Sequence, residues 1–237
     1  MFYVFTLPPP HLAPTKLPPI FTPMPLPWDF AIVADRLKAV IDRAEADLRL
    51  EQAVYGLDAK SEVQLQDVLA AGLREFCEVA REVHYPSTKG RKLSHRQRCD
   101  LVLTPQGRPL KLDSAPATLF DPPDQAGPEE ALWLEVKVAY QFKEGGLRHG
   151  GYGAAWRSKV VDDLRKMEAD PLVHEAGLCL VVFNESRGIL DKDVELFETI
   201  LAQKEVLAGF RKVRSTDITE RIGHRVCTVA LWPTLQR

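Results

Sequence analysis

Residues 131–138 read Ala-Leu-Trp-Leu-Glu-Val-Lys-Val. The two-residue alternation predicts a strand, because side chains two apart share a face. Leu132, Leu134, Val136 and Val138 take one face, and Ala131, Trp133, Glu135 and Lys137 take the other. The all-apolar face must be buried. An acid and a base therefore stand side by side on a strand whose back is covered. Unpaired charge near a core is costly, so the two need a reason. They are either an ion pair on the open face of an edge strand or part of a site.

Upstream, Arg98 to Leu103 predicts a second strand, which carries Asp100 and ends at Thr104-Pro105 and a turn at Gln106-Gly107. Residues 105–130 are rich in proline and acid and read as a long surface insertion between the two strands. Before Asp100, the loop from Pro86 to Arg98 carries Lys89, Arg91, Lys92, Arg96 and Arg98 with no acid between them. Residues 78–85 read as a further strand, stopped by Pro86. Ser61-Glu62-Val63-Gln64 is a capping box that opens a helix. Leu65, Leu69, Leu73 and Phe76 form the apolar stripe of that helix. Glu62 extends the stripe at its start and points towards whatever the helix packs on. From Trp28 to Glu51, apolar residues recur at three and four and predict another helix.

Downstream, five glycines fall between 145 and 153 and read as a mobile loop. The stretch lacks the G-x-x-x-x-G-K-[ST] pattern of a phosphate loop. A helix follows from Ala154 to Ala169, with Trp156, Val160, Leu164 and Met167 on its apolar stripe. Gly177–Phe183 is a continuous apolar run, as expected of a central strand covered on both faces. Leu190–Leu207 predicts a last helix and Arg225–Trp232 a last strand.

The 237 residues are 45% apolar and 27% charged, with a net charge of −2. These are ordinary values for a globular chain, so any basic surface must be local. Four cysteines lack C-x-x-C spacing, which argues against structural zinc and fits a reducing compartment. No apolar run approaches the roughly 20 residues that cross a bilayer. We expect a cytoplasmic protein without membrane contact. Residues 1–27 hold nine of the eighteen prolines and predict a disordered tail. Met24 is an alternative start.

The order helix, strand, strand, strand, helix, strand, with Asp100, thirty-four residues and then Glu135-Val136-Lys137, resembles the D…(D/E)-x-K signature of the PD-(D/E)XK nuclease superfamily. The residue before Asp100 is Cys99 rather than the signature's proline. The resemblance covers roughly residues 61–183. It implies an α/β fold with a restriction endonuclease-like core, α-β-β-β-α-β, in which helices flank a mixed central sheet. That domain would span 57–237, behind a helical extension at 28–56. It further implies metal-dependent hydrolysis of nucleic acid phosphodiesters, most naturally in DNA. Asp100, Glu135 and Lys137 would be catalytic. Asp100, Glu135, the Val136 carbonyl and Glu62 would hold Mg²⁺ or Mn²⁺, which favour hard oxygen ligands. Lys89, Arg91, Lys92, Arg96, Arg98, Arg148, Arg157 and Lys159 would contact the phosphate backbone, positioning it without reading sequence. Cutting both strands of a duplex would favour a homodimer. The alternative is a nucleic-acid-binding or assembly module on the same fold that no longer cuts.

Each residue also has a plainer reading. Asp100 could pair with Arg98. Glu62 could simply favour the helix dipole, and Glu82 competes with it for the extra acidic position. Asp162, Asp163 and Lys166 lie on the following helix, where at least one aspartate should face solvent. His95 and His149 lack metal-ligand spacing and remain substrate contacts at most.

Overall fold

The computed structural model describes residues 28–88, 97–112 and 124–235, without the side chains of 88, 155, 156, 158 and 159. The proline-rich tail, Lys89, Arg91, Lys92, His95, Arg96, the middle of the 105–130 insertion and the side chains of Trp156 and Lys159 lie outside the described residues. Helix α1 spans Phe30–Leu50 and α2 spans Glu62–Leu73. Strands β1, β2 and β3 cover Cys77–His84, Arg98–Pro105 and Leu132–Tyr140. Helix α3, Tyr152–Glu168, leads to β4, Glu175–Asn184. Helix α4, Arg187–Gln203, then precedes β5, Lys212–Asp217, and β6, Val226–Pro233. No helix among the described residues is long and apolar enough to cross a membrane.

The fold is α/β. One six-stranded mixed sheet, ordered β1-β2-β3-β4-β6-β5, is flanked by helices. Only β3 and β4 are parallel, and α3 makes the crossover that a parallel pair requires. The alternation in β3 sorts as its sequence predicts. Leu132, Leu134 and Val136 join α1 and α2 in one buried cluster, and Trp133 and Ala139 join α3 and α4 in the other. Residues from α1, α2 and the sheet share the first cluster, so packing is continuous across 56/57. β3 is third of six strands, which removes the edge-strand reading of Glu135 and Lys137.

Helix starts follow local chemistry. Asp29 accepts from Ala31 N–H at 2.7 Å at the head of α1, and Ser61 and Gln64 close the expected capping box on α2. Three boundaries differ from the sequence reading. Helix α3 begins at Tyr152, so Gly153 is helical and the glycine stretch is only partly loop. Within that stretch Lys143 N–H donates to Leu147 O at 2.7 Å across a turn in which Gly145 and Gly146 take φ of 83° and 74°. Helix α4 starts and stops three to four residues early, at Arg187 and Gln203. Strand β5 has no counterpart in the sequence pattern: Lys-Val-Arg-Ser-Thr-Asp is a polar edge strand whose order comes from pairing with β6. The described ends of the insertion fold back on each other through a Leu110–Ala126 bridge and ion pairs from Arg108 to Asp124 and Glu130.

Two glycines give a paired test of this packing. A Cβ on Gly177 in β4 would lie 2.7 Å from the Trp232 carbonyl of β6 and 2.6 Å from the Phe30 ring, whereas Gly188 in α4 has nothing within 4 Å. Gly177→Ala should cost roughly 1–3 kcal/mol by overpacking. Gly188→Ala should gain roughly 0.5–1 kcal/mol through helix propensity. Urea midpoints that move in opposite directions would bear this out; a neutral Gly177→Ala would contradict the close approach.

Candidate active site

The β2–β3 ladder is short. Its pairs run from Leu103–Leu132 to Leu101–Leu134 and stop there. Beyond that point the backbone of β3 still presents N–H groups towards β2, and a buried N–H without an acceptor is costly. Two carboxylates supply the acceptors. Asp100 Oδ2 takes Val136 N–H at 2.7 Å, and Glu62 Oε2, from the first turn of α2, takes Val138 N–H at 3.2 Å.

Asp100 reaches sideways because side-chain alternation slips at this point. Val102 and Cys99 both face the α3–α4 cluster although they are three apart, and so do Ala80 and Val83 of β1. Between the latter two, Glu82 has φ of 53°, uncommon for a residue with a Cβ. Glu82 itself pairs with Arg98 at 3.7 Å. Two readings are thereby corrected: Arg98 does not pair with Asp100, and Glu82 does not join the acids on β3.

Lys137 lies where these groups converge. Its Nζ stands 3.7 Å from Asp100 Oδ2, 3.9 Å from Glu135 Oε2 and 3.5 Å from Asp163 Oδ2, and donates to the Val136 carbonyl at 3.3 Å. A second lysine enters from α3. Lys166 Nζ lies 2.5 Å from Glu135 Oε1 and 3.2 Å from Asp163 Oδ1, one helical turn away. Tyr85 O–H donates to the same Glu135 oxygen at 2.8 Å, and its ring stacks on Trp133 with centroids 5.5 Å apart. The structure thus gathers Asp100, Glu135, Val136, Lys137 and, one strand step further on, Glu62. It adds Tyr85, Asp163 and Lys166. Asp162 is exposed, as expected for one aspartate of the pair. Tyr85 carried no signal beyond preceding a proline; its role depends on strand register.

Electrostatics follow from burial. Glu135 is only 2% exposed. Burial first, and then repulsion from Asp100 and Asp163, push its carboxyl up to about 7 against the pull of Lys166. Burial alone would lower Lys137, but Asp100, Asp163, Glu135 and Glu62 outweigh it and hold the ammonium above the usual lysine range. Lys166 is raised in the same way, mainly by Glu135 against its own burial.

The oxygens gathered here are carboxylates and the Val136 carbonyl, and the Lys137 and Lys166 ammonium groups lie among them. That chemistry suits a hard divalent ion that keeps several of its waters. Among the described residues no three His, Cys, Asp or Glu side chains are grouped closely enough to hold an ion by themselves. Asp100, Glu135 and the Val136 carbonyl would supply two carboxylates and a carbonyl, with Glu62 held off by Val138 N–H.

The expected basic contacts divide. Arg148 is exposed beside the strand end, whereas Arg157 lies against Asp193 of α4 at 3.9 Å. No protein-family model matches the chain, and no curated protein or solved structure matches it significantly.

The Glu135 carboxyl makes stability depend on pH. Its value in the folded chain, about 7, lies above the ordinary 4.5, so folding takes up a proton between the two. The resulting stability is fully present below about 4.5 and is lost as pH rises through 7, by up to about 3 kcal/mol. Glutamine cannot titrate. In chelator, the stability of wild type relative to Glu135→Gln should fall by that order across the window in urea titrations, and parallel curves would refute the buried-carboxyl account.

Proposed function

We propose that this chain is a metal-dependent nuclease with a restriction endonuclease-like core, hydrolysing phosphodiester bonds, most naturally in DNA. The observation that carries the reading is the meeting of Asp100, Glu135, the Val136 carbonyl and Lys137 in the gap where β2 leaves β3. The element order α2-β1-β2-β3-α3-β4 supports it, since it follows the α-β-β-β-α-β order of the superfamily that Asp100 and Glu135-Val136-Lys137 resemble.

Asp100, Glu135 and the Val136 carbonyl would hold Mg²⁺ or Mn²⁺, with Glu62 as an outer ligand. Bound there, the ion would acidify a water and polarise a phosphoryl oxygen. Lys137 would orient the attacking water or stabilise charge developing on the phosphate. Asp163 positions Lys137 from the α3 side, and Tyr85 and Lys166 hold the Glu135 carboxylate in a single orientation. Arg148, exposed beside the end of β3, would contact the phosphate backbone.

A second reading is a nucleic-acid-binding module that does not cut. It draws on the internal pairing of the acids: Lys137 and Lys166 already neutralise much of the cluster.

The test is cleavage of single-stranded, duplex and branched DNA with Mg²⁺, Mn²⁺ or chelator. Lys137→Ala and Asp100→Asn should each lose about a hundredfold or more. Asparagine keeps an acceptor for Val136 N–H, so Asp100→Asn should stay folded. Asp162→Asn, on the exposed face of α3, should cut normally. Binding without metal-dependent cutting by the folded wild type would select the second reading, and neither activity would remove both.

A further inference from the structure

A cavity of about 810 Å³ opens just past the acid–lysine cluster, lined among others by Tyr55, Asp58, Lys60, Tyr140, Lys143 and Arg221. It shares two elements with that cluster. Tyr140 ends β3, three residues after Lys137 or about 10 Å along the strand, and its O–H donates to the Lys60 carbonyl. Lys60 and Ser61 lead directly into Glu62, whose carboxylate caps Val138. Tyr140 faces the α1–α2 side of the sheet, opposite to Lys137, so a ligand reaches both the cavity and the cluster by passing Glu62, where β2 has left β3.

The lining specifies the ligand. Lys60 and Lys143 have no ion-pair partner among the described residues, whereas Arg221 is committed to Glu45 at 3.4 Å. Tyr55 is 63% exposed with no ring partner among the described residues. Asp58 accepts through one oxygen from His224 Nδ1 at 2.9 Å, and Phe142 N–H donates to His224 Nε2, which fixes that tautomer. The other Asp58 oxygen is buried and without a partner. Glu144 also lines the cavity and has no ion-pair partner among the described residues. Free ammonium groups suit phosphates, an open aromatic face suits a base, and carboxylate oxygens suit base N–H donors. The volume lies in the range that closes around one nucleotide-sized ligand.

We infer that this cavity seats the unpaired end of a nucleic-acid strand, with a base stacked on Tyr55 and its phosphates held by Lys60 and Lys143. This rests on the nuclease reading for its direction, because the strand would run from the cavity to the Asp100–Glu135 cluster. The substrate class is then a single-stranded or frayed end rather than a continuous duplex.

The experiment uses the full chain in chelator, so that nothing is cut, with single-stranded and blunt duplex oligodeoxynucleotides as probes. Wild type should prefer the single strand. Tyr55→Ala should weaken single-strand binding at least about fivefold, the lower end for loss of one base stack, and Tyr55→Phe should restore it. The double variant Lys60→Ala with Lys143→Ala should flatten the dependence of log K on log salt by about 1.4, at about 0.7 per phosphate contact. Irradiation of a strand carrying terminal 5-iodouracil should join it to Tyr55, as mapped by mass spectrometry. A crosslink elsewhere, an unchanged salt slope, or equal affinity for blunt duplex would overturn the assignment. The two proposals fail separately. A chain that never cuts but shows the Tyr55 adduct and the altered slope keeps the cavity site and loses the nuclease reading. A chain that cuts while these variants bind like wild type loses only the cavity site.

Discussion

The backbone N–H of Val136 needs an acceptor, and the strand that should provide one has turned away. β2 pairs with β3 only as far as Leu101–Leu134. A side chain must take over, because an orphaned buried donor costs about as much as a lost hydrogen bond. Asp100 does so from the departing strand, and Glu62 repeats the arrangement two residues on. Two of the acids, Asp100 and Glu62, are thus fixed by backbone requirements before any chemistry is considered. Their orientation is inherited from the sheet, which is the kind of rigid support a reactive constellation needs.

Fixing acids there creates an electrostatic problem that two lysines from different elements resolve. Asp100, Glu135 and Asp163 converge within a buried region, and like charges at close range oppose ionisation. Lys137 from β3 touches all three, and Lys166 from α3 touches two. Neither lysine neutralises Glu135 fully, which is why burial still raises it. A buried network of this kind contributes little net stability. Its value lies in holding several charged groups in one arrangement while leaving one carboxyl close to its titration point.

What the sequence disclosed and what it hid divide along the range of the interactions. Strand β3, its two faces and the box at Ser61–Gln64 are local patterns, and all stand in the structure where the alternation and the S-x-x-Q spacing put them. Asp100, Glu135 and Lys137 were legible as a set because the spacing lies on recognisable strands. Tyr85 was not, since nothing near Pro86 reveals that its hydroxyl lands on a residue fifty positions away. The slip at Glu82 was equally hidden, because a positive φ at glutamate has no sequence mark. Beside the same slip, Arg98 pairs with Glu82 rather than with Asp100, the partner its plainer reading offers. Strand β5 escaped because an edge strand with Lys212, Arg214 and Asp217 carries almost no apolar alternation; β6 supplies its order.

The connection between β2 and β3 occupies the far end of the two strands. Because they run antiparallel, the chain leaves at Pro105 and returns at Leu132 away from Asp100 and the C-terminal half of β3. The segment anchors itself through Arg108, Asp124 and Glu130, and Trp28 donates to the Glu130 carbonyl at 3.0 Å. Loop-closure cost grows by only about 0.6 kcal/mol for each doubling of length. The described ends of this connection, Pro105–Leu112 and Asp124–Leu132, lie at the opposite end of β2 and β3 from Asp100 and Lys137. A change of length in this connection therefore acts at the end of the two strands remote from the charged cluster, at a small closure cost.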